Sequence, residues 1–309
     1  MQTDHVTLTA SDGQSLAGFA WKDPSRTPIG VVQIAHGAAE HSARYERFAA
    51  ALVDAGLDAW AIDHRAHGRT ADEHGAFGVA RPGGWEAIIT DQHDLTNHVG
   101  NLHPDTPLVL FGHSMGSFIG QAYAQRWGDE LAGLVLSGTS AGLDVDDDLM
   151  AAVEALGQPE TADAPSEIIG GMFAAFNEGF GGDDATGFEW LSRDDDEVAA
   201  YVADPWCGFA LSNGYVADML TGTASMWTAA AEAALPTDLP VLVTSGNLDP
   251  VGGGPGVPSA RELAQRWRDL GLSVDERWWE ESRHEILNEV NRDEVTAFII
   301  DWIVEHVQE

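Results

Sequence analysis

Leu108-Val109-Leu110-Phe111-Gly112-His113-Ser114-Met115-Gly116 carries a short apolar run into a glycine-flanked serine, and a helical pattern continues from there to about Trp127. Four consecutive apolar residues bounded by turn signals read as a strand buried on both faces. A serine on a sharp strand-to-helix turn sits in strained backbone, with its hydroxyl lifted clear of the sheet where a base can reach it. Small residues two positions to either side let strand and helix approach closely. Ser114 is therefore the candidate nucleophile.

Working outward, the same alternation recurs. Before the serine, Val31–Ala35 is followed by a helical stretch near Arg44–Ala55. Leu57–Asp63 is followed by a loop rich in His and Arg and a helix near Trp85–Leu102. After it come strand Gly133–Ser137, strand Val241–Ser245, helix Ser259–Leu270, strand Val274–Glu280 and a last helix near Asn291–Val307. Val295, Phe298, Ile299, Trp302 and Ile303 give that helix one apolar face. Strands alternating with helices imply crossover connections, hence an α/β fold with a mostly parallel sheet covered on both faces. His5–Thr9 and Ser15–Trp21, separated by Ser11-Asp12-Gly13, read as an antiparallel edge hairpin.

One stretch breaks the alternation. From about Ala141 to Glu232 no buried strand can be read. The expected division is a core of residues 1–140 and 233–309 with a helical insertion, a cap or lid, over 141–232. Its acidic runs (Asp144, Asp146, Asp147, Asp148; Asp194, Asp195, Asp196) lack the glycine and ligand spacing of a calcium loop and read as solvated surface. Its large apolar residues, Phe173, Phe176, Phe180, Trp190, Trp206, Phe209, Met219, Met226 and Trp227, exceed what a solvated insertion needs. Some are expected to pack on the core and others to line an apolar pocket.

The chain of 309 residues is 44% hydrophobic, which supports a large core. Acidic residues outnumber basic ones 50 to 15, and Lys22 is the only lysine; the net charge of −35 repels nucleic acid and anionic membrane surfaces. Two readings of the charge stay open: adaptation to high salt, or an ordinary acidic protein. One cysteine, Cys207, cannot form an internal disulfide, and a buried apolar role is expected for it. Met1-Gln2-Thr3-Asp4 begins no secretory pattern and no run of about 18 apolar residues occurs, so a cytoplasmic chain without a membrane span is expected.

A serine hydroxyl needs a histidine to take its proton and an acid to orient that histidine. Asp249, in Gly246-Asn247-Leu248-Asp249-Pro250, and His284, in Ser282-Arg283-His284-Glu285, both follow strand ends, where catalytic groups of a parallel sheet collect. Asp275 and Glu281 are the rival acids. His36, His64, His67 and His113 are the rival bases, all preceding the serine. The backbone N–H groups of Ala38, just after Val31–Ala35, and of Met115 are the candidate oxyanion donors. Asp63, His64 and His67 suggest a metal by residue type alone, but the serine mechanism needs none. Arg65 tying carboxylates or carbonyls together is the reading preferred for that loop, and neither metal nor cofactor is expected.

With these motifs in hand, the chain resembles the monoacylglycerol lipase and lysophospholipase-like α/β-hydrolases, classed with the serine aminopeptidase-like hydrolases. The resemblance rests on His36-Gly37-Ala38-Ala39-Glu40-His41-Ser42-Ala43-Arg44-Tyr45, Asp63-His64-Arg65-Ala66-His67-Gly68, the Ser114 turn, Gly246–Val251 and Arg283–Glu289. Asp204-Pro205-Trp206-Cys207-Gly208-Phe209 adds to it. It implies the α/β-hydrolase fold, Ser114, Asp249 and His284 as a triad, and Ala38 and Met115 as oxyanion donors. It further implies hydrolysis of monoacylglycerols or related small acyl esters of short to medium chain through an acyl-enzyme. Lysophospholipid, peptide, amide or carbon–carbon bond cleavage on the same triad are the alternatives, and a non-catalytic binding protein is the reading least in keeping with a complete triad. Ala39 and Ala66 depart from the resemblance, standing where that family has glycine.

Overall fold

The structure, a computed structural model, describes residues 1–308 apart from 74, 80–82, 143–146 and 183, and leaves out the side chains of 147–149. The expectation for the acidic run at Asp144–Asp148 lies outside the described residues.

The elements in chain order are β1 (Gln2–Thr9), β2 (Ser15–Lys22), β3 (Val31–Ala35), α1 (Glu46–Asp54), β4 (Asp58–Ile62), α2 (Gly68–Asp72), α3 (Gly84–Leu102), β5 (Leu108–His113), α4 (Met115–Trp127) and β6 (Gly133–Ser137). Then follow α5 (Asp147–Leu156), α6 (Glu167–Phe176), α7 (Asp195–Ala203), α8 (Asn213–Met226), α9 (Ala229–Glu232), β7 (Val241–Gly246), α10 (Pro258–Asp269), β8 (Val274–Trp279) and α11 (Arg292–Val307). The strands form one sheet in the order β1-β2-β4-β3-β5-β6-β7-β8. β1, β2 and β4 pair antiparallel and every other pairing is parallel. This is the α/β-hydrolase fold, with the edge hairpin and the alternation expected from the sequence.

The five strands from β3 to β7 are buried at every residue, which is why they read as continuous apolar runs. Phe48, Leu52 and Val53 of α1 and Val295, Ile299 and Ile303 of α11 cover one face. Leu95 and Val99 of α3, Tyr123 of α4 and Leu263 and Trp267 of α10 cover the other. α8 docks through Tyr215, Val216, Met219 and Leu220 onto Trp85 and Ile88 of α3 and Phe118 of α4.

Local pattern missed α2, five residues in what read as a loop. Asp63, six residues back along the chain, accepts the Arg69 N–H at 2.8 Å in its first turn. With the donor satisfied from outside the N-cap position, the helix shows no capping signature, and five residues are too few to show a period.

β3 pairs with β4 on one side and β5 on the other, so the chain reverses its direction of travel across the sheet there. Such a switch opens a crevice at the carboxyl ends of the two strands. The Ala38 loop leaves β3 and Ser114 leaves β5 at that point.

Candidate active site

Ser114 joins β5 to α4 with φ 53° and ψ −121°, a left-handed backbone that side-chain-bearing residues rarely adopt. A Cβ on Gly116 would collide with the carbonyl of Ala35, and one on Gly112 with the carbonyl of Gly116. The two glycines are thus what lets β3, β5 and α4 close tightly enough to make the turn. The Ser114 N–H donates to Ser137 O at 2.9 Å, which fixes the turn against β6.

His284 and Asp249 meet across β7 and β8. His284 Nδ1 and Asp249 Oδ1 are 2.9 Å apart, with the His284 side chain 2% and the Asp249 side chain 0% exposed. A Cβ on Gly246 would strike the carbonyls of Ser282 and Arg283, so a glycine there allows the two loops to cross. Asp249 also accepts the Val251 N–H (2.9 Å) and the Ser245 hydroxyl (2.6 Å). Burial alone would raise its pKa, but the His284 charge and these hydrogen bonds hold it below 3.8. Burial would lower His284, and Asp249, helped by Glu285 and Glu40, instead raises it above 6.5. The two directions agree: the pair favours an ionised carboxylate beside an imidazole ready to carry charge.

The rivals lie elsewhere. Asp275 is exposed and accepts from the Trp302 indole N–H at 2.7 Å, and the Glu281 side chain is 84% exposed. His36, His64 and His67 are fully buried, and burial holds His64 at about 3, His67 at about 4 and His36 well below its ordinary value. They are braces between loops. His36 Nε2 accepts the His64 N–H (3.0 Å), and His64 Nε2 donates to His36 O (3.1 Å). His67 Nε2 accepts the Ala39 N–H at 3.1 Å. Arg65 binds Asp91 through two nitrogens and Asp12 through a third, each at 2.7 Å, as the carboxylate-tying reading expected. His113 is likewise buried and lowered to about 4, its ring centroid 4.6 Å from that of His284. Among the described residues, His41, Asp204 and Cys207 bring possible metal-ligand atoms within 4.8 Å of one another, although His41 Nε2 is already bonded to Asp204 at 2.9 Å.

Ser114 and His284 share the wall of a cavity of about 560 Å³ with Ala38 and Met115. Among the described residues, neither the Ala38 nor the Met115 N–H has a protein acceptor, and no hydrogen bond joins the Ser114 hydroxyl to His284. Such a bond is commonly loose before a substrate is present. Ile169, Met172, Phe173, Phe176, Trp190 and Met219 are among its apolar lining residues, and Glu40, Glu262 and Glu285 among its polar ones. Of the nine large apolar residues singled out in the insertion, Phe173, Phe176, Trp190 and Met219 line the cavity. The others pack elsewhere: Phe209 against His67 and Phe77, Trp227 against Phe118, Trp206 against His41, Phe180 under Arg283, and Met226 in the core.

Sequence reasoning missed a buried charge network beside the site. Arg44 Nη1 bonds Glu40 at 2.6 Å, and its two terminal nitrogens grip Glu285 at 2.6 and 2.7 Å. Burial would raise Glu285, but Arg44 holds it at about 2. Glu40 Oε1 accepts the Gly37 N–H (2.5 Å) and the Tyr45 hydroxyl (2.8 Å). The loop after β3 is thereby tied to the loop that carries His284. The i, i+4 spacing of Glu40 and Arg44 is the signal that was there to be read. Trp190 was assigned no more than apolar bulk, yet its indole lies 4.8 Å from the His284 ring and its carbonyl accepts the His284 N–H at 3.3 Å.

Residues 26–291 match the family model described as serine aminopeptidase, S33. The chain is 32% identical to a monoacylglycerol lipase of Mycolicibacterium smegmatis over 291 residues, covering 92% of this chain and 91% of that one. It is 28% identical to the monoglyceride lipase of Mus musculus, covering 78% and 72%. Among solved structures it is similar to a thermostable carboxyl esterase from Bacillus coagulans in complex with glycerol, with a TM-score of 0.91, 28% identity and 99% of both chains covered. The chain is an enzyme of the serine hydrolase class, and it belongs to the serine aminopeptidase S33 family of α/β-hydrolases.

Proposed function

We propose that this serine hydrolase cleaves carboxylic esters through an acyl-enzyme on Ser114, with monoacylglycerols or related esters of short to medium acyl chain as substrates. His284 Nε2 takes the Ser114 proton as Oγ attacks the ester carbonyl. The Ala38 and Met115 N–H groups receive the developing oxyanion. The C–O bond to the alcohol breaks, and the alcohol departs with the proton from His284. Water then attacks the acyl-enzyme with His284 again as base, returning Ser114 and releasing the acid. Asp249 holds the imidazole with Nδ1 protonated and stabilises its charged form. Residues 141–232 act as a cap that shapes the acyl pocket.

The observation that carries this reading is the cavity. It brings Ser114, His284 and two N–H donors that have no protein acceptor among the described residues together with both apolar and polar lining residues. An acyl chain suits the apolar residues and a polyol the polar ones. The names of the Mycolicibacterium and mouse relatives support the same substrate class.

The test is turnover of monoacylglycerols and p-nitrophenyl esters of graded chain length, beside lysophosphatidylcholine and amino-acid p-nitroanilides. The expected result is ester hydrolysis that vanishes in Ser114→Ala, with monoacylglycerol preferred over lysophospholipid and anilide. Faster cleavage of an anilide than of every ester would replace this reading with a peptidase one.

A further inference from the structure

The loop after β3 holds a conformation that its own sequence resists. Ala39 has φ 53°, in the left-handed region where a Cβ crowds the backbone. A strained residue stays in place only where its surroundings over-determine it. Its N–H is held by His67 of the core. Its carbonyl is held from segment 141–232: the Tyr201 hydroxyl donates to Ala39 O at 2.8 Å and the Gly208 N–H does so at 2.9 Å. Tyr201 is itself fixed. It is 6% exposed, its oxygen accepts from the Gly208 N–H at 3.1 Å, and the Arg44 guanidinium lies over its ring at 4.8 Å. Burial also raises the Tyr201 pKa well above its ordinary value, so the hydroxyl remains a donor across the working pH range.

We propose that Tyr201 is a positioning residue whose hydroxyl holds Ala39 left-handed and so aims the adjoining Ala38 N–H at the oxyanion. This rests on the ester-hydrolase reading for the role of Ala38. It makes the oxyanion hole a joint product of two regions, because the core supplies the donor and α7 supplies the clamp. A chain with glycine at position 39 needs the clamp less, since glycine populates positive φ about as readily as negative φ. The alanine makes this enzyme dependent on the docking of α7.

The experiment is a double-mutant cycle of Tyr201→Phe and Ala39→Gly, read in kcat, KM and the rate constant for phosphonylation of Ser114 by a fluorophosphonate. Tyr201→Phe keeps the ring under Arg44 and removes only the hydroxyl. In the wild-type background it is expected to lower kcat and the phosphonylation rate about five- to tenfold, the worth of one hydrogen bond, with KM little changed. In the Ala39→Gly background the same change is expected to cost less than about twofold. An equal loss in both backgrounds, as a direct substrate contact or a general loss of stability would give, overturns the proposal, as does no loss in the wild-type background. Phosphonylation needs the oxyanion hole but no particular ester. A wild-type protein that is labelled yet turns over no ester would therefore sink the substrate reading while the labelling rates still decide the role of Tyr201.

Discussion

In the sheet, all residues of β3, β4, β5, β6 and β7 are buried. In the segment between β6 and β7, the ten-residue helix α6 buries only Ile169, and α7 buries only Val198 and Tyr201. The charge is as uneven as the packing. Residues 141–232 hold nineteen acidic residues and a single basic one, Arg193, so about half of the net charge of −35 sits on less than a third of the chain. The segment is held to the core by the apolar face of α8 and by core arginines: Arg47 to Glu197, Arg292 to Asp194, and Arg266 to Glu232. A tightly packed frame fixes catalytic atoms to fractions of an ångström, whereas a loosely packed, self-repelling segment can adapt to a substrate. The reading that follows is that chemistry belongs to the sheet and selectivity to the segment.

The sharpest way to break that division is to remove the chemistry. Ser114→Ala is expected to abolish ester turnover and leave the melting temperature near that of the wild type, because the side chain sits on a turn and carries no packing. Asp249→Asn is expected to cost about ten-thousandfold in kcat, by analogy with a serine-protease triad. Steady-state rates of Asp249→Asn, Asp275→Asn and Glu281→Gln check the assignment. A dead Asp275→Asn beside an active Asp249→Asn would mean that the His284–Asp249 contact is only structural.

Truncations separate the two regions next. Ile299→Ala empties a fully buried site in α11 and is expected to destabilise the fold by about 2–5 kcal/mol without changing chain-length preference. Phe176→Ala, on the cavity wall and only partly buried, is expected to move that preference several-fold at little cost in stability. Melting temperatures and kcat/KM across chain lengths for both variants test the contrast, and identical chain-length profiles would deny the segment its role.

The site also sets a pH dependence. As the proposed base, His284 must be neutral, and Asp249 raises its pKa above 6.5. The acid limb of kcat/KM is therefore expected above pH 6.5, and to move down in Asp249→Asn. Stability runs the other way. The raised value makes His284 stabilising below pH 6.5, and that contribution is lost as pH rises through the folded value. Asp249, with its lowered value, contributes above pH 3.8 and loses its contribution as pH falls through the folded value. An acid limb below pH 6 would contradict the geometry at His284.

The smallest expected effect is that of salt. Screening shortens from roughly 30 Å at 0.01 M to about 3 Å at 1 M, so the melting temperature is expected to rise with added chloride and to level off by about 1 M. Relief of repulsion should be concentrated in residues 141–232, where nineteen acidic residues accompany a single basic one. Limited proteolysis at low salt is expected to cut there first. A continued rise in melting temperature above 1 M would favour high-salt adaptation, and cleavage starting in the core would break the comparison.

The two regions differed equally in what their sequences disclosed. The frame was legible because strands buried on both faces leave unbroken apolar runs, and because Ser114, Asp249 and His284 each follow such a run. In the segment, α6 and α7 bury only one or two residues each and carry little periodicity, and the buried face of α8 includes Asn213, Gly214 and Thr223, which do not read as an apolar stripe, so α5 to α9 were expected only as helical material without bounds. Tyr201 was invisible because its partners, Ala39 O and the Arg44 guanidinium, lie more than 150 residues away in sequence. The glycine-to-alanine departures at positions 39 and 66 were visible as letters. That both residues keep left-handed backbones, at φ 53° and 66°, is set by tertiary contacts.

The central claim is that a covalent acyl-enzyme forms on Ser114 with His284 as base. Mass mapping of the protein after a fluorophosphonate, in the wild type and in His284→Ala, tests it most directly. The account predicts one adduct per chain on the peptide holding Ser114, formed orders of magnitude more slowly without His284. Labelling at Cys207 or at another serine, or undiminished labelling of Ser114 in His284→Ala, would contradict it.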